Sequence, residues 1–413
     1  MKKRTFQFVL WLVLSMVLWL GWGGVPKTYA LTEDQQLVTE VWRIINRTYL
    51  DDTFNHQNWW FVRQRVLKES FPDRETAYGA IQAMLTSLDD PYTRFLRPEQ
   101  YRSLQTSTSG ELLGVGLQIS QDSKDGSLRV ISPIESSPAD RAGIRSQDRI
   151  LKIDGLSTSA MTLDEAASRM RGPIGTQVTL TISHDLDRPS DINLVRDRIT
   201  LNPVYADLRT YPNAPKVGYI RLNQFNANAA TELAAAIERL EKQRAEAYVL
   251  DLRNNPGGLL QAGVEIARYW LDKGSTIVYT VNRQGVFDSI EATGKALTRD
   301  PLIVLVNKGT ASASEILAGA LKDNGRAKLV GEATFGKGLI QSLFDLSDGS
   351  GLAVTVAKYE TPDHNDINRL GIVPDQIVPL DSLQRDQLGT SADIQYQAAI
   401  DLLKNSVMVA GAS

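Results

Sequence analysis

Residues Leu302–Gln341 read LIVLVNKGTASASEILAGALKDNGRAKLVGEATFGKGLIQ. The apolar run Leu302–Val306 predicts a buried strand, and the alanine-rich run Ala313–Lys322 predicts a helix directly after it. Ser312 stands at the corner between the two. Because the N–H groups in the first turn of a helix are unpaired and carry partial positive charge, a nucleophile at this corner would have an oxyanion site beside it. The stretch therefore predicts an α/β core with a candidate catalytic serine.

A serine nucleophile needs a base, and this stretch offers a lysine. The three histidines, His56, His184 and His364, all lie outside it. Their positions disfavour a Ser-His-Asp arrangement but leave it open in three dimensions. Lys337 stands in the glycine-flanked turn GKG between apolar residues. Desolvation there would lower the pKa of its ammonium group toward neutrality, as serine–lysine catalysis requires.

Other uses of the same residues compete with this interpretation. A serine before a helix is most often an N-cap. Residues Gly331–Lys337 fit the pattern GxxxxGK, but a phosphate-binding loop then needs Ser or Thr, and this chain has Gly338. The S-x-x-K pattern of penicillin-binding proteins fails because Glu315 stands three residues after Ser312.

The run GTASASEILAGALKDN followed by FGKGLIQ resembles the carboxyl-terminal processing (tail-specific) proteases. In that family the serine and lysine lie 25 positions apart, the separation between Ser312 and Lys337 here. The resemblance implies that Ser312 is the nucleophile and Lys337 the general base. It also implies that Gln341, expected one helical turn further on, orients the lysine.

A second signature, DLRNNPGG, begins at Asp251 and also resembles this family. By the resemblance, the N–H of Gly258 at its end completes an oxyanion hole with the N–H of Ala313. Asp251, Arg253 and Glu315 are supporting residues of the site. Partnership in a buried charge network explains these three better than a direct chemical role.

Short predicted strands predominate from about residue 107, where GVGLQIS and SPADRAGIRSQDRILKIDG resemble a PDZ domain. The loop Leu113-Gly114-Val115-Gly116-Leu117 stands where a PDZ domain binds a terminal carboxylate. Successive N–H groups of such a loop point at one spot, and the adjacent strand edge accepts an extended peptide. The resemblance also implies that Arg171, in MRGPIGTQV, reports peptide occupancy to the catalytic part. A surface arginine before a Gly-Pro turn is the alternative.

Length and composition indicate a globular protein. The 413 residues are enough for two or three domains. Hydrophobic residues make up 42% and charged residues 23%, with a net charge of −3, so no basic excess suggests nucleic acid. The chain has no cysteine, which excludes disulfides and cysteine-ligated metals, and its scattered histidines do not suggest zinc. We expect no metal or organic cofactor.

The N-terminus reads MKKRTFQFVLWLVLSMVLWLGWGGVPKTYA. Basic residues, the apolar run Phe6–Trp22 and the small residue Ala30 are typical of a secretory signal peptide cleaved after Ala30. An uncleaved anchor is the alternative, since about 17 apolar residues is the short limit for a membrane span. In either case we expect the catalytic part beyond a membrane, in a thylakoid lumen or a periplasm.

The expected fold class is multidomain α+β, and the family's protease core is ClpP/crotonase-like. The prolines of residues 201–215 predict an irregular connection into that core, and its last predicted strand is Leu352–Lys358. The expected units are a signal peptide (1–30), a helical N-terminal domain (31–106), a PDZ domain (107–199), an α/β Ser/Lys protease core (200–378) and a C-terminal segment with a helix (379–413).

The resemblance covers nearly all of the mature chain and implies an endopeptidase. It would recognise the C-terminus of a protein substrate and cleave upstream through an acyl-enzyme on Ser312. The segment VWRIINRTYLDDTFNHQNWW looks closest to the branch of oxygenic phototrophs that matures the photosystem II reaction-centre core subunit, a membrane-embedded substrate. A periplasmic quality-control protease would share every catalytic residue. A non-catalytic PDZ scaffold would have lost the serine or the lysine, and both are present. The oligomeric state stays open.

Overall fold

The computed structural model describes residues 31–122, 126–134, 136–184, 188–211, 215–285, 287–380 and 387–410. The expected signal peptide or anchor, residues 1–30, lies outside them. Among the described residues, no helix combines the length and the apolar character needed to cross a membrane.

The N-terminal part is a helical cluster. Its three helices are α1 (Glu33–Thr48), α2 (Trp59–Val66) and α3 (Arg74–Thr86). Side chains cap the starts of α1 and α3: Thr32 accepts the N–H of Gln35 at 3.2 Å, and Asp73 accepts the N–H of Thr76 at 2.8 Å. The apolar positions that recur at helical spacing in α1 are buried against the other helices.

A short strand and a fourth helix follow, β1 (Arg94–Leu96) and α4 (Pro98–Ser109). The strand pairs antiparallel with residues far along the chain, Arg94 opposite Ala353 and Leu96 opposite Gly351. The N-terminal part is therefore joined to the α/β core by a backbone ladder.

The middle of the chain forms a small β domain. Its elements are β2 (Glu111–Gly114), β3 (Leu117–Gln121), β4 (Leu128–Pro133), α5 (Pro138–Arg141), β5 (Arg149–Ile153), β6 (Leu156–Ser157), α6 (Leu163–Met170), β7 (Gln177–Ser183), β8 (Ser190–Val195) and β9 (Asp197–Thr200). The main sheet has the order β3-β4-β5-β7-β8 with β6 beside β5, and β2 pairs with β9. Strand β3 is thus an edge strand, and α6 contacts it.

The remaining elements build the α/β core. They are β10 (Val204–Arg209), β11 (Val217–Leu222), α7 (Ala229–Lys242), β12 (Ala247–Asp251), α8 (Leu260–Trp270), β13 (Thr276–Asn282), β14 (Phe287–Glu291), β15 (Leu302–Val306), α9 (Ala313–Asp323), β16 (Lys328–Gly331), β17 (Leu339–Asp345), β18 (Gly351–Glu360), β19 (Gln376–Ile377) and α10 (Ile394–Ala410). The first sheet has the order β10-β11-β12-β15-β16-β19 and is parallel except for β10.

Helices cover both faces of this first sheet. Helices α7, α8 and α9 share one apolar cluster with it, and α10 packs on the other face. Strands β12 and β15 are buried along their whole length, as their continuous apolar sequences require. They are parallel neighbours with Asp251 opposite Leu305, so the two signatures that follow them meet at one edge of the sheet.

The second sheet has the order β1-β18-β13-β14, with β17 also paired to β18. Two expectations about this part of the chain need correction. Residues 201–215 are not only a connection, because the alternating sequence of β10 pairs with β11 from Val204 to Arg209. The last long strand runs to Glu360, two residues beyond the expected end.

Candidate active site

Ser312 lies between the end of β15 and the first residue of α9. Its backbone has φ 59° and ψ −118°, a conformation that a residue with a side chain rarely adopts. Such strain costs about 1–3 kcal/mol and persists only where the surroundings hold it. The sharp turn lets the loop of residues 307–312 enter the helix with Ser312 immediately before its first residue.

The DLRNNPGG turn lies against this corner through its two glycines. A Cβ on Gly257 would lie 2.9 Å from the nitrogen of Ala313 and 3.0 Å from the Cβ of Ser312. A Cβ on Gly258 would lie 2.2 Å from the carbonyl oxygen of Phe225. Only glycine permits both approaches, since both residues also have positive φ.

Two backbone donors remain beside Ser312. The N–H of Gly258 and the N–H of Ala313 form no hydrogen bond within the described parts of the chain. Asn255 holds the turn in place: its side chain donates to the carbonyl of Leu222 at 2.8 Å, and its own carbonyl accepts the Ser314 hydroxyl at 3.0 Å. Both N–H groups are therefore available as hydrogen-bond donors beside Ser312.

Glu315 binds the serine corner and the lysine turn with one carboxylate. One of its oxygens accepts the backbone N–H of Ser312 and of Lys337, both at 2.9 Å. The other accepts the Thr334 hydroxyl at 2.5 Å and the N–H of Gly336 at 2.8 Å. The side chain is fully buried. A buried carboxylate satisfied by four donors fixes the relative position of the two backbones.

Tyr359 binds the same two residues through their carbonyl groups. Its hydroxyl contacts the carbonyl oxygen of Ser312 at 3.2 Å and donates a short hydrogen bond to that of Lys337. The tyrosine is 1% exposed. Burial, with the nearby charge of Glu315, raises the pKa of its phenol well above the usual value, so the hydroxyl stays protonated and remains a donor.

Lys337 is half-buried, and its ammonium lies over the ring of Tyr92, 5.0 Å from the ring centroid. Burial lowers the pKa of Lys337, and the positive charge of Arg94 lowers it further, while Asp90 and Glu315 act in the opposite direction. The net effect is a pKa of Lys337 below the usual lysine value, as a general base needs.

The N-terminal part supplies this wall of the site. Asp90 accepts the N–H of Tyr92 at 2.9 Å and the hydroxyl of Thr93 at 2.6 Å. Thr93 in turn accepts the N–H of Thr355 in β18 at 3.0 Å. These contacts anchor the turn that carries Tyr92 to the strand that carries Tyr359.

Gln341 is not one helical turn beyond Lys337. It lies in β17, because the chain after the GKG turn pairs antiparallel with β18 from Leu339 to Asp345. A strand advances about 3.3 Å per residue against 1.5 Å in a helix, so the expected helical contact is lost. The side-chain nitrogen of Gln341 is buried without a hydrogen-bond partner among the described residues.

No hydrogen bond joins the side chains of Lys337 and Ser312 among the described residues. Catalytic hydrogen bonds are often long in a protease without substrate and tighten when it binds.

The glycine loop of the β domain is a tight turn between β2 and β3. Gly116 has φ 79°, and a Cβ there would lie 2.2 Å from the Cβ of Ser137. The hydroxyl of Ser137 donates to the carbonyl of Gly116 at 3.2 Å. The N–H groups of Val115 and Gly116 form no hydrogen bond with other described residues, so they remain available at the end of the β3 edge.

Arg171 follows the last residue of α6, and its side chain is exposed. Its backbone adjoins the glycine loop, since a Cβ on Gly114 would lie 3.4 Å from the Cα of Arg171. The glycine loop and Arg171 are thus neighbours in the β domain, whereas Ser312 lies in the α/β core.

Comparison with known proteins identifies the family of this chain. The carboxyl-terminal-processing protease of a Picosynechococcus species is 58% identical over 398 residues, which is 96% of either chain. The chain belongs to the carboxyl-terminal-processing protease family. A model of peptidase family S41 matches residues 216–378, and a PDZ domain model matches residues 129–183. The protein is therefore a serine-type C-terminal processing protease with a PDZ domain.

The names of two further relatives refer to chloroplasts or to photosystem II. Carboxyl-terminal-processing peptidase 2, chloroplastic, of Arabidopsis thaliana is 48% identical over 365 residues, covering 86% of this chain and 70% of the relative. A solved structure named photosystem II D1 C-terminal processing protease is 40% identical and covers 87% of this chain and 98% of its own, with a TM-score of 0.58.

Asp251 and Arg253 of this processing protease form a buried charge network away from Ser312. The guanidinium of Arg253 donates to Asp251 at 2.6 Å and to Asp393 at 2.7 Å. Burial alone would raise the pKa of Asp251, but the charge and hydrogen bonds of Arg253, the charge of Arg221 and the hydrogen bond from Tyr219 together leave that pKa below its usual value. The network ties the end of β12 to the start of α10.

The histidines of the protease lie elsewhere. His184 pairs with Asp148 in the PDZ domain, and His364 lies 3.4 Å from Glu360 with its side chain 57% exposed. His56 lies in the turn before α2. None is a hydrogen-bond partner of Ser312 in the part of the chain that the structure describes.

Sequence reasoning missed two residues of the site, Tyr92 and Tyr359. Tyr92 belongs to the N-terminal part, and the expected last strand ended one residue before Tyr359. A tyrosine carries no local pattern that points to a partner 22 residues away, as for Tyr359 and Lys337.

Proposed function

We propose that this protease binds the free C-terminus of a protein substrate at its PDZ domain and cleaves a peptide bond upstream. Ser312 is the nucleophile and Lys337 the general base. The observation that supports this most is the buried carboxylate of Glu315, which binds the backbone N–H of both residues at 2.9 Å. A serine at a strained corner and a lysine of lowered pKa are thereby held in one rigid unit.

In the proposed reaction, neutral Lys337 takes the hydroxyl proton of Ser312 while the oxygen attacks the substrate carbonyl carbon. The N–H groups of Gly258 and Ala313 stabilise the resulting oxyanion. The lysine ammonium then protonates the leaving amine as the C–N bond breaks, which leaves an ester on Ser312. Lys337 next takes a proton from water as the water oxygen attacks the ester carbon, and it returns that proton to the Ser312 oxygen as the acyl C–O bond breaks and the new C-terminus leaves.

Substrate binding brings the two side chains into contact in this proposal. The Lys337 side chain leaves the ring of Tyr92 and brings its neutral amine to the serine hydroxyl, and the side-chain oxygen of Gln341 orients that amine. The substrate tail adds to the free edge of β3, with its carboxylate on the N–H groups of Val115 and Gly116. Arg171, adjacent to that loop, links tail binding to the alignment of Lys337.

We further propose that the substrate is the precursor of the photosystem II reaction-centre core subunit, and that the enzyme acts in a thylakoid lumen or periplasm after export by residues 1–30. Two observations support this proposal. A solved structure that is 40% identical is named photosystem II D1 C-terminal processing protease, and a relative of 48% identity is named chloroplastic. General quality control would use the same catalytic residues on many tails.

The test uses protein beginning at residue 31 and tail peptides read by mass spectrometry. We expect one cut upstream of a photosystem II core subunit tail, and much slower cleavage of the same peptide with an amidated C-terminus. Ser312→Ala and Lys337→Ala should each lose about 10³-fold or more in turnover while still binding tails. Lys308→Ala is the matched control, since that lysine is 82% exposed.

Two results would contradict parts of the proposal. Cleavage by Lys337→Ala within about tenfold of wild type would exclude the lysine as base. Equal rates on unrelated apolar tails would favour quality control over a dedicated photosystem II substrate.

A further inference from the structure

Tyr359 occupies a position that no catalytic signature of the sequence includes. It lies near the end of β18, and its backbone N–H donates to the carbonyl of Gly338 at 3.0 Å. Its hydroxyl contacts the carbonyl oxygens of Ser312 and Lys337, whereas Glu315 binds their N–H groups. The nucleophile and the base are therefore gripped at their N–H groups by an acceptor and at their carbonyl groups by a donor.

We propose that Tyr359 is a positioning residue for the serine–lysine pair, which sets the distance between the two backbones so that the lysine side chain can reach the serine hydroxyl. The inference rests on the proposed roles of Ser312 and Lys337. A phenol has a single proton, so the two carbonyl groups share it. The shared bond couples a shift of one backbone to the other.

The two carbonyl groups depend on this hydroxyl to different extents. The oxygen of Ser312 also accepts the N–H of Ile316 at 3.0 Å, in the first turn of α9. The oxygen of Lys337 receives no other hydrogen bond within the described ranges. Loss of the Tyr359 hydroxyl therefore affects the backbone of Lys337 more than that of Ser312. A small displacement of the Lys337 backbone changes both the reach and the burial of its ammonium group.

Tyr359→Phe removes this hydroxyl, and Tyr248→Phe is the matched control. Tyr248 belongs to the same apolar cluster, is fully buried, and donates its hydroxyl to Glu241 at 2.7 Å, away from Ser312. We expect Tyr359→Phe to lower kcat at saturating tail peptide about 10- to 100-fold, with KM within about twofold, because misplacement of a catalytic group affects the chemical step. Tyr248→Phe should keep both.

The pH profile separates positioning from general destabilisation. Burial is the main cause of the lowered pKa of Lys337. A lysine released by Tyr359→Phe regains solvent, so the ascending limb of kcat should move to higher pH. Tyr248→Phe should leave the limb in place. Tyr359→4-aminophenylalanine restores a donor of similar size and should recover most of the turnover.

Three outcomes would overturn the inference. They are kcat and a pH limb for Tyr359→Phe that match those of Tyr248→Phe, a rise in KM with unchanged kcat, and a folded 4-aminophenylalanine variant with no turnover. Ser312→Ala is measured in parallel. If Ser312→Ala still cleaves, the proposed serine chemistry is wrong. If Ser312→Ala is inactive and Tyr359→Phe is fully active, only the proposed role of Tyr359 is wrong.

Discussion

Substitution of Glu315 by glutamine replaces one of the two acceptor oxygens of this buried side chain by a donor NH₂ group. The side chain lies between the proposed nucleophile and base. The carboxylate accepts four hydrogen bonds, from the N–H groups of Ser312, Gly336 and Lys337 and from the hydroxyl of Thr334. Glutamine has the same shape but one oxygen. Two of the four donors would then face an NH₂ group, which cannot accept them.

The magnitude follows from the number of bonds. Hydrogen bonds to a charged group contribute about 1.5–3 kcal/mol each, so loss of two lowers the free energy of unfolding by about 3–6 kcal/mol. The N–H groups of Ser312 and Lys337 share one oxygen of Glu315, and Thr334 and Gly336 share the other. In one orientation of the amide, Ser312 and Lys337 lose their acceptor. In the other orientation, Thr334 and Gly336 lose theirs. A displacement of about 1 Å at a catalytic group costs about 100-fold in rate, which is the loss in kcat that we expect.

The assay is urea unfolding beside steady-state cleavage of a tail peptide, with Glu265→Gln as the matched control. Glu265 lies on α8 in the same core and pairs with Arg268 at 2.9 Å, a partly exposed pair that contributes about 0–1 kcal/mol. If Glu315→Gln stays within about 1 kcal/mol of the control in unfolding and within about threefold in kcat, the carboxylate does not hold the pair and our reasoning is refuted.

Activity should rise with pH along a limb set by Lys337, because the neutral amine is the base, and the limb should lie below the usual pKa of lysine since burial and Arg94 lower it. Arg94→Gln should move the limb to higher pH, chelators should have no effect, and an unmoved limb would contradict this electrostatic account. Arg171→Ala should lower kcat more than tail affinity, and an unchanged single-turnover rate at saturating peptide would show that it carries no signal. Gly257→Ala should abolish cleavage, because its Cβ would lie 2.6 Å from a carbonyl oxygen of the serine corner. Gly274→Ala carries a similar positive-φ strain, at 88°, but has nothing within 4 Å, so it should lose some stability and keep its cleavage rate.

The serine corner was predictable because every step of it is local. The apolar run of β15 and the alanine-rich run of α9 give the expected strand and helix, with Ser312 between them. The pairing of Ser312 with Lys337 was predicted from their separation in sequence and their flanking residues, which match a known family. Their contact through Glu315 needed the structure, since a buried glutamate three residues after the serine is equally consistent with a remote charge network.

The parts that sequence reasoning missed are set by pairing between distant strands. Gln341 was expected on a helix, but the ladder with β18 makes it part of a strand. Tyr92 reaches the lysine because β1 pairs with β18, and nothing near either segment in sequence indicates this. Tyr359 closes the site from the same strand. Long-range β pairing is the information that local patterns lack.

The ladder between β1 and β18 also governs the time at which the enzyme becomes active. Thr93 and Thr355, which hydrogen-bond beside it, are 262 residues apart. During synthesis the turn that carries Tyr92 emerges first, and its partner strand emerges only after the serine and lysine segments. Closure of so long a loop is slow and follows local folding. A growing chain therefore lacks the wall that Tyr92 and β18 form beside Lys337 until β18 has been synthesised.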